Sequence, residues 1–84
     1  MEVEVKLYGV LRRHRPGDRT GAPHHPFVFV GVAGDTVASI MTRLGIDEGM
    51  VAAAAINNQN VALDMPLQSG DKLAIFPPSA GGAA

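Results

Sequence analysis

The stretch that decides the fold is "LQSGDKLAIFPPSAGGAA", residues 67–84, which joins a turn, a strand and a thin tail. Residues 68–71 carry turn-forming side chains, and residues 72–76 alternate between an apolar and a more polar face. None of the side chains in residues 77–84 is larger than proline, so this segment has little to bury in a core. The pattern predicts a closing strand over 72–76 and a flexible tail over 77–84.

The opening of the chain predicts a hairpin. Residues 1–10 alternate, with Met1, Val3, Val5 and Leu7 on one face, which is typical of a half-buried strand. Residues 27–32 are mainly β-branched or aromatic and predict a second strand, antiparallel to the first. Between them, residues 15–26 contain three prolines, two glycines and two adjacent histidines, a composition that predicts a long loop.

One segment has the spacing of an amphipathic helix. Apolar residues recur at helical intervals over 36–44, at Val37, Ile40, Met41 and Leu44. Asp35 is a suitable N-cap, and Gly45 is suited to the position that follows the last helical turn. We therefore predict a helix from about Thr36 to Leu44.

The remaining elements complete a mixed sheet. Residues 50–56 predict a strand that ends in a turn at Asn57 and Asn58, and residues 61–63 predict a short strand. The order β-β-α-β-β-β in a short chain implies an α+β fold with one main helix across one face of the sheet. We expect a β-grasp (ubiquitin-like) domain over residues 1–76, with a four- to five-stranded sheet and the last strand central and parallel to the first.

Composition excludes several classes of function. With 84 residues the chain forms one domain, and without cysteine it has neither disulfides nor a thiolate site. The net charge of -1 argues against nucleic-acid binding and against anionic membrane surfaces. The N-terminal segment lacks the pattern of a signal peptide, and no apolar run reaches the length of a membrane span. We expect a soluble cytoplasmic protein.

Three segments carry a resemblance to a known family. They are "VEVKLYGVLR" (3–12), "GDTVASIMTRLG" (34–45) and "INNQNVALDMPLQSGDKLAIFPPSAGG" (56–82). Together they resemble the MoaD/ThiS family of ubiquitin-like sulfur carriers, and within it most resemble the small subunit of molybdopterin synthase. The most specific part is the glycine pair placed six residues beyond a closing strand.

The resemblance implies a carrier that acts with partner enzymes and is not itself an enzyme. In this family an ATP-dependent, E1-like enzyme adenylates the terminal glycine, which then becomes a thiocarboxylate that donates sulfur. For this chain, the resemblance implies that Gly82 bears the thiocarboxylate. Gly81 and the prolines Pro77 and Pro78 would deliver this group to the partner, and Phe76 would help to dock the partner. The implied acceptor is a synthase large subunit or another sulfur acceptor, with molybdopterin favoured and thiamine or another sulfur metabolite possible.

The chain departs from the family pattern at its end. Ala83 and Ala84 follow Gly82, so the only terminal carboxylate belongs to Ala84. We expect a peptidase to remove both alanines and expose Gly82. The alternatives are a ubiquitin-like modifier that joins Gly82 to a lysine, and a β-grasp interaction module without terminal chemistry.

Other polar residues have simpler interpretations. His24 and His25, with His14 nearby, lack the spacing of metal ligands and are expected in a solvated loop. Asp35 and Asp71 fit cap and turn positions better than catalytic roles. The basic residues are expected to face water: Arg12, Arg13, Arg15 and Arg19. Phe76 can be either a second-layer core residue or an exposed anchor. We predict no metal and no resident cofactor.

Overall fold

The computed structural model describes residues 1–14 and 26–78, and these ranges form one mixed sheet with a helix across one face. The strands are β1 (Glu2–Leu7), β2 (Phe27–Val30), β3 (Ala53–Ile56), β4 (Gln59–Val61) and β5 (Lys72–Phe76), and the helix is α1 (Val37–Arg43). Two 3₁₀ helices span Gly9–His14 and Glu48–Met50. No helix in the described ranges is both long and apolar enough to cross a bilayer.

The sheet has the order β2-β1-β5-β3-β4. β1 and β5 are parallel, with Leu7 opposite Ile75, and the other neighbouring strands are antiparallel. The parallel arrangement brings the last strand of the chain to the centre of the sheet, between the first strand and the third. The predicted β-grasp topology and the central position of the last strand are confirmed.

The core lies between the helix and one face of the sheet. Alternation on β1 and β5 sends one set of side chains inward, as the sequence predicts, and α1 covers them with its apolar stripe. The buried cluster comprises Val3, Val5, Leu7, Leu11, Val37, Ile40, Met41, Ile46, Ala54, Leu67, Leu73 and Ile75. Each fully buried Leu, Ile or Val contributes roughly 1.5–3 kcal/mol, so this cluster supplies the main driving force for folding.

The helix begins at Val37, one residue later than predicted, because Thr36 and not Asp35 is the N-cap, and it ends at Arg43, with Leu44 as the C-cap. The Ser39 amide donates to Thr36 Oγ1 at 3.2 Å, and the Thr36 amide donates to Ser39 Oγ at 2.8 Å. The reciprocal pair is a capping box in which serine takes the place usually held by glutamate or glutamine. Gly45 follows the last turn with φ +78, as predicted.

Asp35 has a different role, as the acceptor of a buried polar network. Its carboxylate is only 4% exposed and accepts from the Val32 amide at 2.9 Å and from the Ser39 hydroxyl at 2.8 Å. Arg43, eight residues further on, forms a bidentate ion pair with this carboxylate: Nη1 donates to Oδ2 at 2.8 Å and Nη2 donates to Oδ1 at 2.9 Å. The network joins the end of β2 to both ends of α1.

This network also lowers the pKa of Asp35 below its ordinary value of 3.8. The hydrogen bond from the Val32 amide is the largest cause, followed by that from Ser39, and Arg43 adds to the effect, while burial opposes it. These contacts all favour the charged carboxylate, so they outweigh its desolvation.

Several element boundaries differ from the sequence prediction. β1 ends at Leu7, because the chain turns at Gly9 into the first 3₁₀ helix. β3 starts at Ala53, after the second 3₁₀ helix, and β2 ends at Val30.

β4 occupies Gln59–Val61 and not 61–63, because the turn before it is tighter than predicted. Asn57 and Asn58 have φ of 52 and 70, the positive values of a two-residue hairpin turn, so pairing resumes at once. Asp71 is a turn residue as predicted, since its carboxylate accepts from the Gln68 amide at 2.8 Å.

We expect Asp35 to make folding stability dependent on acid. Because its folded pKa is lowered, its contribution is present above the unfolded value near 3.8 and is lost as the pH falls through the folded pKa. Asp35→Asn should therefore lower the free energy of unfolding at pH 7 and should lose less stability than the wild type between pH 5 and pH 2. Urea unfolding across this range measures both effects.

Asp64→Asn is the matched control, because Asp64 lies exposed in a turn. It should leave the stability at pH 7 nearly unchanged. If the free energy of unfolding fell equally for the wild type and Asp35→Asn between pH 5 and pH 2, the lowered pKa assigned to Asp35 would be contradicted.

Candidate functional site at the base of the tail

The candidate site is the point where β5 leaves the sheet. Phe76 is the last residue of β5, and Pro77 and Pro78 follow it outside the strand, the first half-buried and the second exposed. Gly81 and Gly82, whose proposed chemistry comes from the family resemblance, lie outside the described residues, as do Ala83 and Ala84. The structure therefore defines the base from which the tail starts.

Both neighbouring strands hold the backbone at this base. The Tyr8 amide donates to the Ile75 carbonyl at 3.2 Å, and the Ala52 amide donates to the Phe76 carbonyl at 2.8 Å. Within the described ranges, no backbone hydrogen bond continues beyond Phe76. Proline has no amide hydrogen to donate, so two successive prolines end the ladder at this residue.

An aromatic pair covers the base on the outer face of the sheet, the face opposite α1. The rings of Tyr8 and Phe76 are stacked, with centroids 4.5 Å apart and an interplanar angle of 22°. The Lys6 ammonium lies 5.1 Å from the centroid of the Tyr8 ring, within range of a cation–π contact. The parallel register explains the meeting, because it pairs Lys6 with Ala74 and so brings the next outer-face residues together.

The observed position of Phe76 lies between its two interpretations, a second-layer core residue and an exposed anchor. The side chain lies on the outer face, away from the helix-side core, so Phe76 is not a buried core residue. It is half-buried because Tyr8 covers one side of its ring. A partly covered aromatic beside a chain terminus can contribute apolar area to a contact with another protein.

The outer face around the pair is shallow and carries both signs of charge. Two small side chains lie beside the aromatic pair: Ala53 is opposite Phe76 on β3, and Ala74 precedes Phe76 by two residues on β5. A depression of about 270 Å³ is lined by Glu4, Lys6, Tyr8, Asn58, Lys72, Leu73 and Ala74. Within the described residues, no group of three or more acidic or histidine side chains could hold a metal ion.

The start of the first 3₁₀ helix also touches the tail. Gly9 has φ +58, and its α-carbon lies against the ring of Pro77, so that a β-carbon there would be 2.7 Å from Pro77 Cγ. The base of the tail is thus in contact with the segment that follows β1.

Sequence reasoning missed Tyr8 and Gly9 as parts of this site. The alternation does place Tyr8 on the outer face, and the predicted parallel pairing brings β1 beside β5. The missing information was the register, which decides that Tyr8 meets Phe76 and that Gly9 meets Pro77.

The other basic candidates lie elsewhere or outside the described ranges. Arg12 and Arg13 are exposed as predicted, and Arg12 Nε donates to the Gly9 carbonyl at 3.0 Å. His14 is half-buried, and its Nδ1 forms a hydrogen bond with the Leu44 carbonyl at the end of α1 at 3.2 Å. Four residues lie outside the described ranges: Arg15, Arg19, His24 and His25.

Comparison with solved structures finds the same fold in small proteins of similar length. SAMP1 (small archaeal modifier protein 1) from Haloferax volcanii is 21% identical, with 98% of this chain and 100% of that chain covered and a TM-score of 0.68. A putative molybdopterin converting factor, subunit 1, from Pyrococcus furiosus is 20% identical, with 93% and 98% covered and a TM-score of 0.67. At these identities the likeness shows the fold alone.

A third similar chain comes from a protein–protein complex of subunits 1 and 2 of the molybdopterin-converting factor of Helicobacter pylori 26695. It is 25% identical, with 98% of this chain and 100% of that chain covered and a TM-score of 0.58. No curated protein matches the sequence.

The family assignment rests on a sequence match. The model of the ThiS family matches residues 28–82, which is more than half of the chain and reaches from β2 to the second glycine of the tail. The resemblance to MoaD/ThiS sulfur carriers agrees with this match and with the fold described above. This chain belongs to the ThiS family.

Proposed function

We propose that the protein is a sulfur carrier whose C-terminal Gly82, exposed by removal of Ala83 and Ala84, is adenylated and then converted to a thiocarboxylate. The observation that carries the proposal is the extent of the family match, which runs through Gly81 to Gly82 and stops before the two alanines. The fold supports it, because the central strand ends directly in the tail that bears this glycine pair.

The chemistry explains why a partner enzyme is required. A carboxylate is ionised at neutral pH and is a poor electrophile, because its charge repels nucleophiles and oxide is a bad leaving group. In adenylation the Gly82 carboxylate attacks the α-phosphorus of ATP and pyrophosphate leaves. A sulfur nucleophile then attacks the acyl carbon and AMP leaves, which places sulfur on the glycine.

The tail is suited to delivering this group into another protein. We assign residues 1–76 to the folded domain and 77–84 to the tail. An extended chain from Pro77 to Gly82 spans roughly 20 Å at ~3.3 Å per residue. Pro77 and Pro78 favour an extended start, and Gly81 and Gly82 lack the β-carbons that a narrow channel would reject.

The stacked pair of Tyr8 and Phe76 supplies the docking contact beside the tail. Both rings are half-buried, and the pair lies at the point where a partner must approach to receive Gly82. Aromatic side chains are enriched among the residues that dominate binding energy. The carrier itself performs no catalysis in this proposal, and its partners are an E1-like adenylating enzyme, a sulfur acceptor and a trimming peptidase in the cytoplasm.

The acceptor that we favour is the second subunit of a molybdopterin synthase. The support is the likeness to a chain from a complex of subunits 1 and 2 of the molybdopterin-converting factor. Thiamine or another sulfur metabolite is the alternative product. A protein modifier would use the same activated Gly82 and join it to a lysine amine. The mass of the protein in its own cells distinguishes this product from a thiocarboxylate.

We expect adenylation to depend on a free Gly82. A chain ending at Gly82 should support ATP–pyrophosphate exchange with the adenylating enzyme from the same cells. The full chain should give no exchange, because its Gly82 has no free carboxylate. The Gly82→Ala variant of the shortened chain should lower the exchange rate by at least about 100-fold, the loss expected when a reacting group is misplaced by about 1 Å. Ser79→Ala in the shortened chain is the control, since it alters the tail away from its reacting end, and should retain activity.

The native state of the protein separates the carrier from the modifier. Intact-mass spectrometry of protein isolated from its own cells should find chains ending at Gly82 with one oxygen replaced by sulfur. Chains joined through Gly82 to lysine would assign the modifier role. Retention of Ala83 and Ala84 while sulfur-dependent biosynthesis is active would overturn both proposals.

We expect Phe76 to contribute to docking. Phe76→Ala should raise the KM of the adenylating enzyme for the carrier about tenfold, equivalent to ~1.4 kcal/mol, with kcat little changed. Val30→Ala is the matched control, because Val30 is 71% exposed on the remote strand β2, and it should leave KM unchanged.

A double-mutant cycle with Tyr8→Ala separates docking from folding. The two rings should be coupled by about 0.5–1.5 kcal/mol in urea unfolding, so each variant must be compared at a temperature where it is fully folded. An unchanged KM for folded Phe76→Ala would remove Phe76 from the docking surface.

A further inference from the structure

Among the described glycines with positive φ, Gly9 is crowded by the tail, whereas Gly34, Gly45 and Gly70 are not. A β-carbon added at Gly9 would lie 2.7 Å from Pro77 Cγ and 3.6 Å from Pro77 Cδ. Gly34 and Gly70 also have positive φ, of +94 and +89, but a β-carbon at either would have nothing within 4 Å. Backbone conformation alone therefore explains glycine at those two positions, while Gly9 must also leave room for Pro77.

The crowding would be difficult to relieve without moving the tail. Carbon atoms in contact normally lie about 3.5–4.0 Å apart, so a methyl group at Gly9 would require the Pro77 ring to withdraw by about 1 Å. The ring of proline is closed onto its own backbone nitrogen. A change of ring pucker moves Cγ alone, whereas a shift of the whole ring also displaces the backbone at the first residue of the tail.

Pro77 lies just beyond the last hydrogen bond that holds the chain. Tyr8 fixes the carbonyl of Ile75 and Ala52 fixes that of Phe76, and in the described ranges no backbone bond holds Pro77 or Pro78. The ring contact with Gly9 comes next along the chain. This contact therefore lies at the position where the sheet no longer holds the backbone.

We propose that Gly9 is a positioning residue for the tail: its bare α-carbon seats the Pro77 ring and so directs the tail toward the partner's active site. The inference rests on the sulfur-carrier function proposed above. A shift of the base alters the path of the roughly 20 Å that an extended tail covers from Pro77 to Gly82. In this proposal the stacked rings of Tyr8 and Phe76 contact the partner, and Gly9 sets the orientation of the tail.

The test compares Gly9→Ala with Gly34→Ala and Gly70→Ala in chains ending at Gly82. All three variants place alanine at a positive φ, so they share the backbone penalty, but only Gly9→Ala also meets Pro77. With the adenylating enzyme from the same cells, Gly9→Ala should lower kcat by 10- to 100-fold, as misplacement of a reacting group does. Its KM should change little, and both controls should retain kcat when compared as folded protein.

A second substitution tests the contact itself. Pro77→Ala removes the Cγ atom that a residue at position 9 would meet, so adding Gly9→Ala to Pro77→Ala should cost no more kcat than Gly34→Ala does. The proposal would be overturned if Gly9→Ala lowered kcat by the same factor in the Pro77→Ala chain as in the chain that retains Pro77. A kcat for Gly9→Ala equal to that of the two control variants would also overturn it.

NMR of the full chain tests the geometry without any partner. In the wild type we expect cross-relaxation between the Gly9 α-protons and the Pro77 ring protons. In Gly9→Ala we expect residual dipolar couplings to show that the orientation of Pro77 has changed. Absence of this cross-relaxation would overturn the positioning role even if adenylation proceeds. If the shortened wild-type chain is not adenylated, the sulfur-carrier function fails instead, and the NMR result still decides whether Gly9 seats Pro77.

Discussion

The parallel pairing of β1 with β5 is the contact on which the rest of the structure depends. It joins the two ends of the chain, so every other element must fit within the loop that it closes. β5 can enter the centre of the sheet only because β1 offers one free edge and β3 the other. Since the hydrogen bonds from both neighbours stop at Phe76, this pairing also sets the point from which the tail departs.

The two faces of the sheet have different roles. The inner face is filled by the apolar side chains of β1 and β5 and covered by α1, which leaves it no part in binding. The outer face has no second layer among the described elements, and small alanines make it shallow. Tyr8 and Phe76 supply the large apolar surface near the tail, and each covers part of the other. Function is therefore proposed for the outer face and stability for the inner one.

Polar contacts hold the loops and turns between the strands and the helix, where few apolar side chains are buried. Asp35 joins the end of β2 to α1 through Val32 and Arg43, and Asp71 orders the turn that leads into β5. His14 links the first 3₁₀ helix to the end of α1. These contacts matter for the proposed function because a tail can be directed only from a base that does not move.

Local sequence patterns were sufficient to predict that the chain has five strands and one main helix, their order, and the glycine pair beyond the last strand, but not every strand boundary. Such features depend on neighbours within about four residues, whose periodicity and turn chemistry are written in order along the chain. Tertiary structure alone decided that Asp35 binds Arg43 and leaves capping to Thr36, and that Phe76 meets Tyr8. It also placed Gly9 beneath Pro77. For Phe76 and Gly9 the physical reason is register, because contacts between residues more than sixty positions apart depend on how two strands align, and local patterns do not encode that alignment. Asp35 lies only eight residues from Arg43, and its role depends instead on the hydrogen bonds that its carboxylate accepts from the Val32 amide and the Ser39 hydroxyl.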